Sequence, residues 1–498
     1  MANMPLDRFF GWAVRVRREL AVFCGVLLSS SLCYLVTGIR YPNDDQFILY
    51  RYIDHLANGA GFTWNYGERV LGATTPLFTL IAAAAKWVFH GVSTPSVVAG
   101  VNIILLSVAA VFFWRVCRHF LSEPWSLAAL AIFALDLSKA IPEGMETPLF
   151  LLTAFAFLDA LFHKKWTRSS VWLAWCVLTR PDAALIAILA AIYWWQKENL
   201  KTAIKLSVIS FAVAFPWLAF AQWYFGSFVP QSLITKTHAH AIYNIPRLQA
   251  FKVQLASVSR ILWGKIYDPD SLALQSVFNL APILALVGVG MKKFLSRDTW
   301  ILFAIPLLYF VSFSLSNPLM FPWYLSQMEP FWILMIGLGA AVIGERIKDQ
   351  FWRLIFIILL LIGPAWFYLG ELTTTQTTSK ASLFAVSEYL KENMLPQDTI
   401  GISNIGIVGW LVDAETIDFI GLVRNDSVKY YPIKDECPPS GTLYTIPPKL
   451  IEDAHPTWLV AGEGEMESCF LTSEWFANHY TPAYEYPSST LHVWKYRP

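Results

Sequence analysis

The stretch Thr74-Thr75-Pro76-Leu77-Phe78-Thr79-Leu80-Ile81-Ala82-Ala83-Ala84-Ala85-Lys86-Trp87-Val88-Phe89 decides how the rest of the chain is threaded. It is apolar, yet it falls short of the ~20 residues that a membrane crossing needs. We read it as an interfacial or re-entrant helix. Basic residues provide the check, because Lys and Arg collect in cytoplasmic loops. The head carries Arg8, Arg15, Arg17 and Arg18, which places it in the cytoplasm. The apolar run Leu20 to Gly38 is too long for a signal peptide and no small-residue cleavage site follows, so it is the first span. With Thr74–Phe89 left uncrossed, the clusters around Arg115, Lys164, Lys197, Lys292 and Arg346 all fall inside. The Lys139–Glu146 and Arg180–Asp182 segments, the long loop Gly226–Asp270 and Asn317–Trp323 fall outside. If the stretch did cross, nearly every basic cluster would change sides.

Composition agrees with this threading. Of 498 residues, 56% are hydrophobic and only 15% charged, where a soluble domain has roughly 25% charged. A soluble chain of this length could not bury so much apolar surface. The reading is a polytopic α-helical membrane protein with about eleven spanning helices and a first outer loop over residues 40–94. The net charge of +1 gives no field that would draw nucleic acid. The abundant Trp, Phe and Tyr are first of all aromatic belts at the two membrane interfaces.

Composition changes near Glu371, which divides the chain into a membrane domain, 1–370, and a water-soluble α/β domain, 371–498. Ser382–Asn393 has helical spacing of Leu383, Val386, Tyr389 and Leu390. Thr399–Ile402, Ile417–Ile420, Trp458–Ala461 and Thr490–Tyr496 read as strands, and Thr472–His479 as a helix. Cys437 and Cys469 both fall on the outer side, where a disulfide can form. The other cysteines, Cys24, Cys33, Cys117 and Cys176, sit in apolar runs as small hydrophobes.

The first outer loop carries the chemistry. An acidic pair, Asp44-Asp45, opens a segment with helical spacing from Phe47 to Leu56. Taken alone, such a pair also suits a solvated helix cap. It is followed by Asn58-Gly59-Ala60-Gly61-Phe62, then Trp64-Asn65-Tyr66-Gly67-Glu68-Arg69-Val70-Leu71-Gly72, then Thr75-Pro76-Leu77. This series resembles the first outer loop of the GT-C superfamily of membrane glycosyltransferases, which use polyprenyl-phosphate-linked sugars. The similarity is greatest to a group that includes the terminal arabinofuranosyltransferases of mycobacterial cell walls. Gly144-Met145-Glu146-Thr147 and Thr179-Arg180-Pro181-Asp182 resemble later elements of that group, with Asp182 in place of its Glu. Tyr224 to Lys236 resembles another, with Gln231-Ser232 in place of its Asn-Thr. Asp418-Phe419-Ile420-Gly421-Leu422-Val423 resembles an element of its C-terminal domain. Phe321-Pro322-Trp323-Tyr324-Leu325 is similar to outer-loop segments of GT-C mannosyl- and aminoarabinosyltransferases. It lacks the basic residue that the arabinosyl group more often has before the Tyr.

The resemblance implies a GT-C fold and an inverting transfer; the basic residues place the N-terminus in the cytoplasm and the C-terminal domain on the extracytoplasmic side of the plasma (inner) membrane. The donor would be a polyprenyl-phosphate sugar, with arabinofuranose among the candidates from a cell-wall or cell-envelope role. The acceptor would be a glycan, a lipid or a protein. An acceptor hydroxyl needs a general base, and the resemblance gives that role to Asp44 or Asp45, with Asp44 preferred as the first of the pair. The other would bind acceptor sugar or a divalent cation, Mg²⁺ or Mn²⁺. Departing phosphate needs positive charge, for which Arg69, Arg180, Lys236, His238 and His240 are candidates; Asp182 is an alternative, purely structural partner for Arg180. Arg51, Trp64, Glu68, Glu146, Tyr324 and Glu329 complete the expected substrate site. Two other classes stay open at this point: a transporter or flippase, which internal repeats would favour and which the chain does not display, and a non-catalytic glycan-binding membrane subunit.

Overall fold

The computed structural model describes residues 6–38, 44–239, 248–263, 280–290, 299–316, 318, 320–373, 381–431, 433, 445–462, 465–466, 468–486 and 491–497. Two compact units emerge. One comprises Met1–Ile39, Val98–Phe215 and Ile245–Thr375; the other Arg40–Val97, Pro216–Asn244 and Gln376–Pro498.

The first unit is helical throughout its described residues. Among the described residues, five helices are long and apolar enough to cross a membrane: Val14–Thr37, Thr94–Phe120, Glu123–Glu143, Leu200–Phe225 and Gln350–Gly370. Thr147–Phe162, Trp300–Ser316 and Glu329–Gly344 are apolar but shorter. Side chains such as Leu35, Leu315 and Trp366 stand almost fully exposed on these helices, as expected where lipid is the solvent. Inside, aromatic rings join four helices. Phe113 stacks on Phe133 at 4.6 Å and meets Phe155 edge-on at 5.1 Å, and Phe155 stacks on Phe331. Gly339 and Gly288 lie where Leu280–Gly290 and Glu329–Gly344 touch, and neither has room for a Cβ. Small residues at such a contact let two backbones approach, which is the usual packing device between apolar helices.

Among the described residues of the loop expected over Gly226–Asp270 are two helices, Gln231–Ala239 and Gln249–Trp263. The second buries Ala250, Gln254, Ser257, Val258 and Ile261. That spacing is a helical stripe, but its polar members hide it from a hydropathy reading.

The second unit combines the first outer loop with the sheet domain. Helix Asp44–Ala57 packs on helix Pro76–Val88. The latter has 13 residues, so it is ~20 Å long against a hydrocarbon thickness of ~30 Å. Its inner face buries Phe78, Thr79, Ala82 and Ala83, while Leu80, Trp87 and Val88 are exposed. This two-faced pattern is that of a helix lying at an interface.

The sheet has five strands: β1 Thr399–Ile402, β2 Glu415–Asp418, β3 Trp458–Gly462, β4 Tyr480–Glu485 and β5 Leu491–Tyr496. Their order is β2-β1-β3-β5-β4. β1 pairs in parallel with β2 and β3, with Ile402 opposite Asp418; β3 and β4 flank β5 antiparallel, with Val460 opposite Val493. Relative to the sequence reading, β2 starts two residues earlier, and β4 and helix Ile405–Val412 are additional. The expected helix at Thr472–His479 forms over Glu474–His479, with the Ser473 hydroxyl accepting from the Phe476 N–H. Cys469 is disulfide-bonded, while Cys437 lies outside the described residues.

Candidate functional site

In the outer-loop unit, the two members of the acidic pair have different surroundings. Asp44 is buried, and Asp45 is half-buried. The carboxylate of Asp44 accepts the N–H of Gly406 at 2.9 Å and of Ile407 at 2.8 Å. These belong to the first turn of helix Ile405–Val412, whose own N-cap Asn404 makes no side-chain cap bond. An Asp supplied from elsewhere in the chain thus satisfies donors that a helix start leaves open. Gly406 is required here, since a Cβ would run into the Asp44 main chain.

Other residues of the motif also join the loop to the sheet domain. Arg51 is buried, donating to the carbonyls of Gly409 at 2.5 Å and Ala414 at 2.9 Å. It pairs with Asp413 at 3.4 Å and lies 4.7 Å over the Trp64 ring. Trp64 is 1% exposed and fills the space that Gly409 leaves open. Asn65 accepts the Thr416 N–H and donates to the Thr416 carbonyl, both at 3.0 Å, so its amide acts as a strand neighbour for the edge strand β2. Its Nδ2 also reaches Glu68 at 3.1 Å. The Tyr52 hydroxyl donates to the Val70 carbonyl at 3.0 Å and accepts the Gly72 N–H at 3.2 Å. Gly72 sits against Tyr52 and Val423 with no room for a side chain.

The Asp418 element is likewise an organiser of main chain. Its carboxylate accepts the N–H groups of Ile420 at 3.0 Å and Val423 at 2.8 Å. Burial pushes this carboxyl up to about 6, against the opposing pull of those N–H groups. The turn needs Gly421, at φ +91°, whose carbonyl accepts the Thr235 hydroxyl at 2.6 Å. Thr235 belongs to helix Gln231–Ala239, on which Lys236 and His238 also fall; His240 lies outside the described residues. Arg69 is exposed and lies 4.6 Å over the Tyr224 ring.

In the helical unit, three predicted residues come together. Glu146 precedes helix Thr147–Phe162 and accepts from Arg180 Nη1. Arg180 also forks onto Asp182, at 3.1 Å from Nε and 3.0 Å from Nη2, and lies 5.9 Å from the Tyr324 ring centre. Glu329 is in a separate group. Fully buried, it pairs with Lys139 at 2.9 Å and with Arg260, and accepts from Ser257 at 3.4 Å. Asp136 adds to the group through Lys139 at 3.0 Å. Sequence reasoning missed Asp136, Lys139 and Arg260 as members. The signal available was Asp136 in an otherwise apolar helix with Lys139 three positions on, since an ionisable group there needs a partner; Arg260, on a helix of mixed polarity, carried no such signal.

Among the described residues, no three His, Cys, Asp or Glu side chains gather as metal ligands. Both Asp44 oxygens accept main-chain N–H groups, so a divalent cation at the pair, which takes about six oxygen ligands, would be held through Asp45.

Comparison with known proteins gives the fold. The chain is similar to archaeal oligosaccharyltransferase AglB from Archaeoglobus fulgidus in complex with an inhibitory peptide and a dolichol-phosphate. The TM-score is 0.58 at 10% identity, over 96% of this chain and 74% of that one. It is similar to ArnT from Cupriavidus metallidurans bound to undecaprenyl phosphate, with TM-score 0.58 at 12% identity, over 97% of this chain and 98% of that one. ArnT in the apo state gives 0.57 at 11% identity, over 98% of each chain. At these identities the likeness is one of fold, which in this chain is a bundle of apolar helices with a small C-terminal sheet domain. Residues 370–496 match a domain of unknown function, DUF8728. No curated protein matches the sequence.

Proposed function

We propose that this chain is an inverting membrane glycosyltransferase that moves a sugar from a polyprenyl-phosphate donor to a hydroxyl of a glycan, lipid or protein acceptor at the outer face of the plasma membrane. The observation that carries the reading is the extent of the likeness to ArnT, which runs over 97% of this chain and 98% of that one. ArnT holds undecaprenyl phosphate, and AglB holds a dolichol-phosphate. The first-loop motif, found independently in the sequence, supports the same class and makes arabinofuranose the first sugar to test.

In this reading Asp45, rather than Asp44, is the general base. Asp44 is buried with both oxygens committed to the Gly406 and Ile407 N–H groups, which leaves it poorly placed to reach an acceptor hydroxyl. The acceptor oxygen attacks the anomeric carbon and gives its proton to Asp45. The bond from that carbon to the phosphate oxygen breaks, and its electron pair leaves with the polyprenyl phosphate. The Glu146–Arg180–Tyr324 group, with Arg69, Lys236, His238 and His240, is assigned to substrate binding, with Arg180 the first candidate to meet phosphate. Glu329, in its own ionic group, is kept as a substrate-site candidate on the same terms.

The test is an Asp45→Asn variant of the full chain in lipid nanodiscs, supplied with polyprenyl-phosphate arabinose, mannose or glucose. Transfer should fall by about 10²-fold or more, the usual contribution of a positioned base, with size-exclusion behaviour unchanged. Full transfer by Asp45→Asn would overturn the assignment.

A further inference from the structure

Within the outer-loop unit, a cleft of about 390 Å³ lies at the far end of helix Asp44–Ala57, between that helix, the segment after Pro76–Val88, and helix Ile405–Val412. Its volume falls within the ~300–1,000 Å³ of small-molecule sites. Asp54 on its wall is ten positions along the helix from Asp44, hence ~15 Å from the acid pair.

The fixed charges of the cleft cancel, with Arg51 and Lys86 against Asp54 and Asp413. Each is also engaged within the protein. Arg51 pairs with Asp413, and Lys86 donates to the carbonyls of His90 at 3.2 Å and Val92 at 2.6 Å. Asp54 accepts from Thr94 and, at 2.7 Å, from the Trp410 ring nitrogen. Asp413 accepts from Tyr66 at 3.1 Å and faces His55 at 3.4 Å. Burial alone would raise the Asp413 carboxyl; His55, Arg51 and Tyr66 outweigh it and hold the group below its ordinary range. A ligand with net charge meets no unbalanced field here. The rim presents neutral polar groups and a ring: the exposed Asn58 and Ser93, and Tyr66, 62% exposed and tilted 30° against the His55 ring at 4.5 Å. Mixed donors and acceptors beside an aromatic face, on walls already fixed by internal bonds, suit a neutral polyhydroxylated ligand at little ordering cost.

We propose that this cleft is a carbohydrate-binding subsite that holds a neutral stretch of the acceptor glycan away from the acid pair. This rests on the glycosyltransferase reading above and names the acceptor as a glycan. It requires neither Asp44 nor Asp45.

The test uses the full chain in nanodiscs and two variants, Asn58→Trp and Ser93→Trp, which plug the rim at exposed positions. The probes are neutral oligosaccharides of arabinose, mannose, glucose and galactose, read by saturation-transfer NMR with no donor present. At least one should bind the unmodified chain and bind both variants about tenfold more weakly or worse, a loss of the size given by one or two hydrogen bonds. Hydrolysis of the lipid-phosphate donor by water should be unchanged in both variants. Binding that survives both plugs, no binding by any probe, or tighter binding of an acidic oligosaccharide would each overturn the subsite. Absence of donor hydrolysis in the unmodified chain would instead count against the glycosyltransferase reading, separately from the binding result.

Discussion

Asp44 caps the helix that starts at Ile405, through two carboxylate bonds to Gly406 and Ile407 that span 362 and 363 positions of sequence. The first residue of the acidic pair therefore belongs to the joint between the outer loop and the sheet domain, and the second is the one set toward chemistry in our reading. Replacing Asp44 with Ala is expected to cost about 0.5–2 kcal/mol, the range for losing a helix cap. The effect should appear as faster hydrogen exchange over 405–412 in the full chain. Asp44→Asn keeps one acceptor oxygen and should be milder. Equal, slow exchange in all three proteins would show that the cap contributes nothing.

Arg51 should tolerate little. Its guanidinium is buried, forks onto the Gly409 and Ala414 carbonyls and covers Trp64, a planar arrangement that an ammonium cannot copy. Arg51→Lys is expected to destabilise the fold, and Arg51→Met more so, by about 1–3 kcal/mol, because the Gly409 and Ala414 carbonyls lose their donor. A limited-proteolysis series reads this directly: cleavage between residues 58 and 72 should accelerate in the order unmodified, Lys, Met.

The Arg180 group separates structure from substrate binding. Arg180→Gln alone strands Glu146 and Asp182, each paired with it, and should destabilise the helical unit by several kcal/mol, as breaking a buried pair does. Arg180→Gln combined with Glu146→Gln should recover much of the thermal stability. If Arg180 meets the phosphate, transfer remains lost in the double variant and the KM for the donor rises. Recovery of both stability and transfer would make the pair purely structural.

Asp418 predicts a pH dependence. Burial pushes its folded carboxyl up to about 6, above the ordinary range of an aspartate. A raised pKa means that the folded state holds its proton where the unfolded state has lost it, so the stabilising contribution is present below pH ~4 and is lost as pH rises through about 6. After correction for intrinsic rates, protection of the Ile420 and Val423 amides should be greater at pH 5 than at pH 7.5. Asp418→Asn should flatten this difference. A difference that persists in the Asn variant would assign it to another group.

Several elements were legible from the chain itself. A run of apolar residues needs lipid whatever its neighbours are, so the membrane class follows from composition. Strand β1 and the Trp458 strand are short apolar runs buried on both faces, β5 alternates buried with more open positions, and all three were placed from the sequence. β4, Tyr480–Glu485, was not, because its burial follows no clean alternation and a register shift between Pro482 and Tyr484 interrupts it.

The acidic pair, the Asn-Gly-rich loop and the Arg-Pro-Asp turn could be recognised by residue type and order, and so could the class of chemistry they suggest. Their division of labour could not. Whether a carboxylate is a cap or a base depends on which N–H groups reach it, and those that reach Asp44 come from the other end of the chain. The same holds for Arg51 and Trp64, which look like ligand contacts in one dimension and are packed against Gly409 in three. Local sequence determined which residues are polar, apolar, basic or turn-forming, and through them the membrane class and the motif. Long-range packing alone decided which of the polar groups are already satisfied by the protein, because hydrogen-bond partners hundreds of positions apart leave no spacing to read.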